Sequence, residues 1–195
     1  MGKIICLMGK SSTGKDTIFK CILEDESLKL QTIVPYTTRP IRVGERNGAE
    51  YFFTDEAGYQ ALKEQGKIVE AREYHTFHGL WRYFTVDDGQ IEADKDYIMI
   101  STPEAFGHLQ DFYGKDRVCP VLIELDDGVR LQRALNREKQ QEHPKYEEMC
   151  RRFLADSADF AEEKMQEAGI EKASRFVNDD LDECIRQIVA YIKAN

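Results

Sequence analysis

The fold of this chain is indicated by residues 3–16, which read KIICLMGKSSTGKD. Lys3–Met8 is a short apolar run typical of a buried strand, and a helical pattern begins at Lys15. The loop between them has two glycines five residues apart and a lysine after the second, which is the spacing of a phosphate-binding loop. Backbone N–H groups of such a loop converge on phosphate oxygens, and the positive end of the following helix attracts the same charge. A turn that binds nothing is the alternative, and the flanking strand and helix argue against it.

One position departs from this motif, because Asp16 stands where a hydroxyl residue usually follows the lysine. A carboxylate beside a polyphosphate repels it unless a metal ion lies between them. Asp16 therefore either binds Mg²⁺, directly or through water, or points away and leaves the hydroxyl role to Thr17. We favour the magnesium contact.

The order of strand and then helix recurs further along the chain. Strands are expected at Asp96–Ser101 and Val118–Leu125, and helices at Pro103–Tyr113 and from Asp127 to about Gln141. Such alternation predicts an α/β fold with a parallel sheet wrapped by helices. Pro120 predicts that its strand pairs late or on one side only.

Two stretches break the alternation. Residues 32–86 contain short β-rich pieces, one short helix and several glycines, which predict an inserted lobe. Asn136–Lys145 is densely polar, and residues 127–155 are expected to form a mobile helical lid. We therefore expect one domain over residues 1–195, with its core at 1–31, 87–126 and 156–195.

Composition sets the class of partner. The chain has 195 residues, 42% of them hydrophobic and 32% charged, with a net charge of −9. This field repels nucleic acids and anionic membranes, and no apolar run approaches the roughly 18 residues that cross a bilayer. Five widely spaced cysteines fit reduced thiols better than disulfides or a zinc site. We expect a cytoplasmic protein without a nucleic-acid or membrane partner.

A second charged motif lies at Thr37–Tyr51, which reads TTRPIRVGERNGAEY. Taken alone, it is as compatible with a solvated loop as with a binding site. Beside the glycine loop, it resembles the guanylate kinase family, whose pattern is Thr-Thr-Arg-x-x-Arg-x-Gly-Glu-x-x-Gly-x-x-Tyr. Weaker matches along the rest of the chain are Glu70, Tyr83-Phe84-Thr85, Arg133, Arg137, Arg152 and Val177–Leu181.

The resemblance implies a three-layer P-loop kinase core, with a β-rich monophosphate-binding lobe and a helical lid. It implies phosphoryl transfer from ATP, with Mg²⁺, to a nucleoside monophosphate, most simply GMP or dGMP. The implied ATP-binding residues are Gly9, Lys10, Ser11, Ser12, Thr13, Gly14, Lys15, Asp16 and Thr17. The implied substrate-binding residues are Arg39, Arg42, Glu45, Tyr51, Glu70, Tyr83 and Thr85, and the implied catalytic residues are Lys15, Arg39, Arg137 and Arg152.

These roles suit the chemistry of the side chains. Guanidinium groups bind phosphate oxygens in pairs, and tyrosine hydroxyls add neutral donors. In the family, the acid at Glu70 accepts the ring N–H and the exocyclic amine of guanine. Losing such a pair costs about 1–3 kcal/mol, so this acid would carry much of the choice of base. An ordinary acid at the end of a strand is the alternative.

Several residues depart from the family pattern. Pro35 and Ser101 stand where a serine and an aspartate usually contact guanine or metal, and Met99 replaces another aspartate. The segment between Glu70 and Tyr83 is about four residues longer than usual, and Phe84 replaces a glycine. These departures leave two alternatives open, which are a kinase for another acceptor and a non-catalytic binding module. The intact glycine loop argues against the module.

Some aromatic and histidine residues have two interpretations. His75 and His78 could line the pocket, and Trp81 with Phe77 and Phe84 could stack on a base. Surface histidines and an apolar face of the lobe are the commoner outcomes.

Overall fold

A computed structural model of the chain describes residues 1–76 and 79–195, so the suggestions for Phe77 and His78 lie outside it. The strands are β1 Ile4–Gly9, β2 Gln31–Thr32, β3 Tyr36–Thr37, β4 Phe52–Phe53, β5 Ile68–Thr76, β6 Gly79–Val86, β7 Tyr97–Ile100, β8 Val118–Glu124 and β9 Arg175–Val177. The helices are α1 Lys15–Glu24, α2 Glu56–Glu64, α3 Pro103–Tyr113, α4 Asp127–Lys139, α5 Tyr146–Asp159, α6 Glu162–Glu167 and α7 Leu181–Ala194, with a 3₁₀ turn at Lys172–Ser174.

The larger sheet is parallel, with the strand order β2-β7-β1-β8-β9. Its central strand β1 is buried along its whole length, as expected for a parallel strand covered on both faces. Ile4, Cys6 and Met8 belong to a core cluster with Phe106 of α3. The alternate residues Ile5 and Leu7 belong to a second cluster with residues of α1 and α7. The predicted α/β fold is confirmed.

The prediction for Pro120 is also confirmed. Proline has no N–H to donate, so it is tolerated where one side of a strand is unpaired. Pro120 is in register with Cys6 of β1, whereas pairing of β8 with β9 begins only at Leu122.

The smaller sheet has the order β4-β3-β6-β5 and lies within the segment expected to form a β-rich lobe. Its longest part is the antiparallel hairpin of β5 and β6, in which Glu70 is paired with Thr85 and Thr76 with Gly79. The extra residues between Glu70 and Tyr83 fall in this hairpin. Phe84 has no exposed surface and contacts Tyr36 and Tyr59, so the residue that replaces a glycine packs in the interior of the lobe.

The polar segment after β8 forms α4 and α5. All fourteen residues of α5 are described, and none of them is buried. In residues 1–76 and 79–195, we find no helix with the length and apolar character needed to cross a membrane.

Candidate active site

The glycine loop connects the carboxyl end of β1 to the first turn of α1. A Cβ on Gly9 would lie 2.9 Å from both the Ile123 carbonyl oxygen and Thr13 Oγ1, which is too close for any side chain. Gly14 has a φ of 91°, and a Cβ there would lie 2.4 Å from Asn178 Nδ2. Both glycines are therefore required by the space around the loop and, at Gly14, by the backbone conformation as well.

Side chains from elsewhere hold the loop in shape. Asn178 is buried at the end of β9, and its Nδ2 donates to the Thr13 carbonyl oxygen at 2.7 Å. Thr13 Oγ1 in turn donates to the Lys10 carbonyl oxygen at 2.9 Å. The Asn178 region, which resembles the family only weakly in sequence, thus contributes directly to the geometry of the loop.

The arginine motif forms its own cluster around Glu45. Arg39 donates to Glu45 through Nη1 at 2.7 Å and Nη2 at 2.6 Å, and the Arg42 backbone N–H donates to the same carboxylate at 2.8 Å. Glu45 can reach back because Gly44 takes a φ of 89°, a conformation that glycine adopts without strain. Two-point contact of this kind fixes the plane of a guanidinium.

The electrostatics of this pair keep both groups charged. The hydrogen bond from Arg39 lowers the pKa of Glu45 despite partial burial. Burial opposes the charge on Arg39, but the hydrogen bond from its guanidinium to Glu45 and the attraction of Tyr83 and Glu45 raise its pKa overall. Arg39 Nε is buried, and among the residues that the structure describes it has no hydrogen-bond partner.

Aromatic rings flank the arginine. The guanidinium of Arg39 lies 5.1 Å from the ring centre of Tyr51, and the rings of Tyr51 and Tyr83 are 5.6 Å apart. Burial is the main cause that raises the pKa of Tyr51, so this phenol stays protonated and able to donate at neutral pH.

A cavity of about 310 Å³ joins the loop to the arginine cluster. It is lined by Gly9, Ser11 and Lys15 from the loop, by Arg39, Arg42, Tyr51 and Tyr83 from the lobe, and by Arg152 from α5. The two charged motifs therefore face one another across a single space.

The described residues that line this cavity do not include the remaining predicted residues Glu45, Glu70, Thr85, Arg137, Asp16 and Thr17. Glu45 is hydrogen-bonded to Arg39, and Glu70 and Thr85 are buried. Arg137 is exposed on α4, and its Nη2 lies 3.4 Å from Ser12 Oγ. Asp16 and Thr17 are exposed in the first turn of α1, and Lys15 Nζ is 3.5 Å from the Asp16 carboxylate.

Sequence reasoning missed Arg130, which connects the loop to the lid. Its side chain has no exposed surface, its Nε donates to the Ser11 carbonyl oxygen at 3.0 Å, and its Nη2 donates to Asp156 at 3.2 Å. Asp127 accepts a further hydrogen bond from Nη1. The spacing to Ala134, the other buried residue of α4, places both on one helical face, and that pattern could have identified Arg130.

Asp156 of α5 was missed as well. Its Oδ2 accepts the Ser11 backbone N–H at 2.7 Å, so a carboxylate of α5 is the acceptor for one of the loop donors. No spacing in the sequence connects residues 145 positions apart, and this contact could be found only in three dimensions.

A third missed residue is Arg72, next to the predicted base reader. Glu70 has no exposed side-chain surface; its Oε1 accepts from Thr85 Oγ1 at 2.8 Å, and its Oε2 accepts from Arg72 Nε at 3.1 Å. Burial is the largest single influence and opposes the charge on Arg72, but the attraction of Glu70 and Tyr74 and the hydrogen bond to Glu70 together raise the pKa of this guanidinium. Alternation along β5 places residues 70 and 72 on the same face, which is the signal that could have found the pair.

The positions of the histidines, Trp81 and Phe84 bear on their suggested roles in the pocket. His75, His108 and His143 are exposed, and the described residues hold no group of three His, Cys, Asp or Glu side chains that could bind a metal. Trp81 lines the cavity, whereas Phe84 is in the core of the lobe.

These features define an α/β protein in which a strand, a glycine loop and a helix face an arginine-rich lobe across one cavity. Solved structures of two kinases share the fold. A guanylate kinase from Anaplasma phagocytophilum matches with a TM-score of 0.65 at 20% identity, over 99% of this chain and 85% of its own. A gluconokinase from Sinorhizobium meliloti 1021 matches with a TM-score of 0.52 at 11% identity, over 99% and 92%.

The more particular likeness is to guanylate kinases. The guanylate kinase family model matches residues 1–81. The guanylate kinase of Mycoplasma mobile is 42% identical over 79 residues, which are 40% of this chain and 39% of the relative. That of Wolbachia sp. subsp. Brugia malayi is 28% identical over 194 residues, which are 96% of this chain and 90% of the relative. The predicted resemblance to guanylate kinases is confirmed.

Proposed function

We propose that this protein transfers the γ-phosphoryl group of ATP to a nucleoside monophosphate, with GMP or dGMP as the acceptor. The observation that carries this proposal is that Lys15 of the glycine loop and Arg39 and Arg42 of the lobe line one cavity. A phosphoryl donor and a phosphate acceptor must lie side by side for transfer, and two facing anion sites provide that arrangement. The names of the similar proteins support the same reaction.

In this proposal, the lobe holds the acceptor phosphate. Arg39 and Arg42 supply charge, and Tyr51 and Tyr83 supply neutral donors. The Glu45 carboxylate fixes the plane of the Arg39 guanidinium, which limits the entropy lost when the acceptor binds.

The loop and the lid act on the transferring group. Lys15 follows the negative charge of the ATP phosphates, and Arg137 and Arg152 add positive charge from the lid. Little covalent work falls to the protein in phosphoryl transfer, so positioned charge supplies most of the catalysis. A closed lid also keeps water from competing with the acceptor oxygen.

Asp16 is the proposed protein contact for Mg²⁺. In phosphoryl-transfer sites this ion commonly binds one or two carboxylates and completes its shell with phosphate oxygens and water. A single exposed carboxylate beside Lys15 fits that donor set, and the Thr17 hydroxyl is next to it. When bound, the ion would neutralise charge on the ATP phosphates.

We also propose the division into core, lobe and lid given above, and a cytoplasmic location. Cys6, Cys119 and Cys184 are buried as free thiols, which supports a reducing compartment.

A coupled assay of ADP release, run with GMP, dGMP, IMP, AMP, CMP and UMP, tests the proposed reaction. Lys15→Met should lower kcat by on the order of 10³-fold or more, because the charge next to the transferring group is lost. Lys20→Met is the matched control, since Lys20 is an exposed lysine on α1 and its loss should change nothing. Turnover with no monophosphate, despite bound ATP, would identify a binding module instead.

A further inference from the structure

The end of the cavity beside β7 is the place where a base would lie. Arg39 and Arg42 take the acceptor phosphate in the proposed function, on which this inference rests. The lining residues beyond that phosphate site include Pro35, Arg72, Ser101 and Thr102. Of these four side chains, Arg72 alone is charged, and the lining also includes the phenol of Tyr74 and the carboxylate of Asp159. Arg72 is therefore the basic hydrogen-bond donor among these residues.

Arg72 still has donors to offer. A guanidinium carries five N–H groups. Glu70 accepts the one on Nε, and Thr102 Oγ1 accepts one from Nη1 at a long 3.4 Å. Within residues 1–76 and 79–195, the other three, one on Nη1 and two on Nη2, have no acceptor. The side chain is 12% exposed and lines the cavity, whereas the Glu70 side chain is fully covered.

Pro35 and Ser101, which line the same end of the cavity, do not offer comparable hydrogen-bond donors. Pro35 has no N–H to donate. Ser101 is buried, and its hydroxyl donates to the Thr102 carbonyl oxygen at 3.2 Å. The base end of the cavity therefore presents hydrogen-bond donors from Arg72 where the family resemblance leads one to expect a carboxylate acceptor.

We propose that Arg72 is a specificity-determining residue that donates to the 6-oxo edge of the acceptor purine, and that Glu70 is the positioning residue that holds it. Guanine and hypoxanthine present O6 and N7 as two neighbouring acceptors, and a guanidinium matches that pair with two N–H groups. Adenine presents an amino group at position 6, which would place a donor against a donor.

The proposal predicts a specificity different from recognition by a carboxylate. A carboxylate that accepts the 2-amino group separates guanine from hypoxanthine, which lacks this amine. Arg72 reads a feature that both bases share, so GMP and IMP should be used with kcat/KM values within about fivefold of each other. AMP should be poorer by on the order of 10³-fold or more, because unpaired polar groups are left in the site.

The decisive experiment compares GMP with 6-thioguanosine monophosphate, in which only the acceptor at position 6 is weakened. The wild-type protein should prefer GMP by about tenfold, which is the scale of one weakened hydrogen bond. Arg72→Met should lower kcat/KM for GMP and IMP by on the order of 10²-fold, as expected for loss of a good bidentate contact to a base. It should also use GMP and the thio analogue equally.

Two controls separate this effect from a folding defect. Arg186→Met removes an arginine that is 75% exposed on α7 and should change no ratio of acceptors. Arg72→Lys keeps a charge without the forked donors and should regain only part of the preference for GMP over the thio analogue. Circular dichroism and the midpoint of urea unfolding of each variant show whether the fold is intact.

The role of Glu70 is tested through Arg72. Glu70→Gln should weaken the preference for GMP over its thio analogue in the wild-type background. The same change should leave that ratio unaltered when Arg72→Met is already present. A Glu70 that contacts the base itself would change the ratio of GMP to IMP in both backgrounds.

Three results overturn the inference. They are equal losses on GMP and its thio analogue in Arg72→Met, a wild-type preference for GMP over IMP of 100-fold or more, and good use of AMP. If the wild-type protein binds monophosphates without turning them over, calorimetric affinities replace kcat/KM and the same ratios apply. If it neither binds nor phosphorylates any of them, the proposed function itself fails.

Discussion

Two arginine–glutamate pairs lie at the candidate site, and they present opposite edges of their guanidinium groups. Glu45 binds both Nη atoms of Arg39 at 2.6 and 2.7 Å and leaves Nε without a described partner. Glu70 binds Nε of Arg72 at 3.1 Å and leaves most of the Nη donors without one. The same two residue types therefore leave different guanidinium donors without a described partner, the buried Nε in Arg39 and Nη donors in Arg72.

Removal of Arg39 should have a large effect on the acceptor and a small one on ATP. Arg39→Met should raise the KM for GMP by on the order of 10²-fold and leave the KM for ATP within about twofold, because the guanidinium acts on the acceptor phosphate alone. Steady-state kinetics with each substrate varied in turn measure this. Equal changes in both KM values would show that the Arg39–Glu45 pair affects binding of ATP as much as binding of the acceptor.

The Arg72–Glu70 pair should contribute more to the stability of the fold than the Arg39–Glu45 pair. Thr85→Val removes the hydroxyl that donates to Glu70 Oε1 at 2.8 Å and keeps the shape of the side chain. A buried carboxylate oxygen loses its donor, so the free energy of unfolding should fall by about 1–3 kcal/mol. Urea unfolding at neutral pH measures it.

Thr32→Val is the control for this change, since Thr32 is exposed in β2 and the expected change is within about 0.5 kcal/mol. Equal stability of both variants would mean that Arg72 alone satisfies Glu70. The two pairs would then differ only in their arginines and not in the further support of the carboxylate.

The smallest expected effect is the dependence of the Arg39 pair on pH. The pKa of Glu45 is lowered in the folded protein, chiefly by the hydrogen bond from Arg39, so folding favours its ionised form. This contribution is fully present above the ordinary pKa of a glutamate and is lost as the pH falls through the folded value. The wild-type protein should exceed Glu45→Gln in stability at pH 7 by at most about 1 kcal/mol, and the gap should close toward pH 3.

Urea unfolding of both proteins across this range checks the expectation. A gap that widens in acid would mean that Glu45 is stabilised in its protonated form. The contact to the Arg39 guanidinium would then not be the ion pair that the distances indicate.

The glycine loop and the Arg39–Glu45 cluster were predictable from sequence because their constraints are local. Gly9, Gly14 and Gly44 mark backbone conformations or close approaches, and Arg39 and Glu45 are six residues apart on one turn-rich span. The elements of the parallel sheet followed for a similar reason, since apolar periodicity is read within a few residues.

The rest of the candidate site depends on contacts between segments that are distant in sequence. Arg72 and Thr102 are 30 residues apart, and Ser11 and Asp156 are 145 apart. Arg130 was overlooked because charged residues on polar helices are usually solvated, and only tertiary packing places this one in the interior. The greater length of the segment between Glu70 and Tyr83 was predicted from the sequence, but the contact between Glu70 and Arg72 was not.

The contact between Asp156 and the Ser11 N–H has a consequence for how a nucleotide enters. An incoming phosphate oxygen that seeks this N–H meets a carboxylate already in place, held there by Arg130. Under the proposed function, binding of a nucleotide would therefore exchange one anion for another at this N–H. The Ser11 N–H therefore has an acceptor in this structure, and a phosphate oxygen that bound it would displace a carboxylate carried by α5.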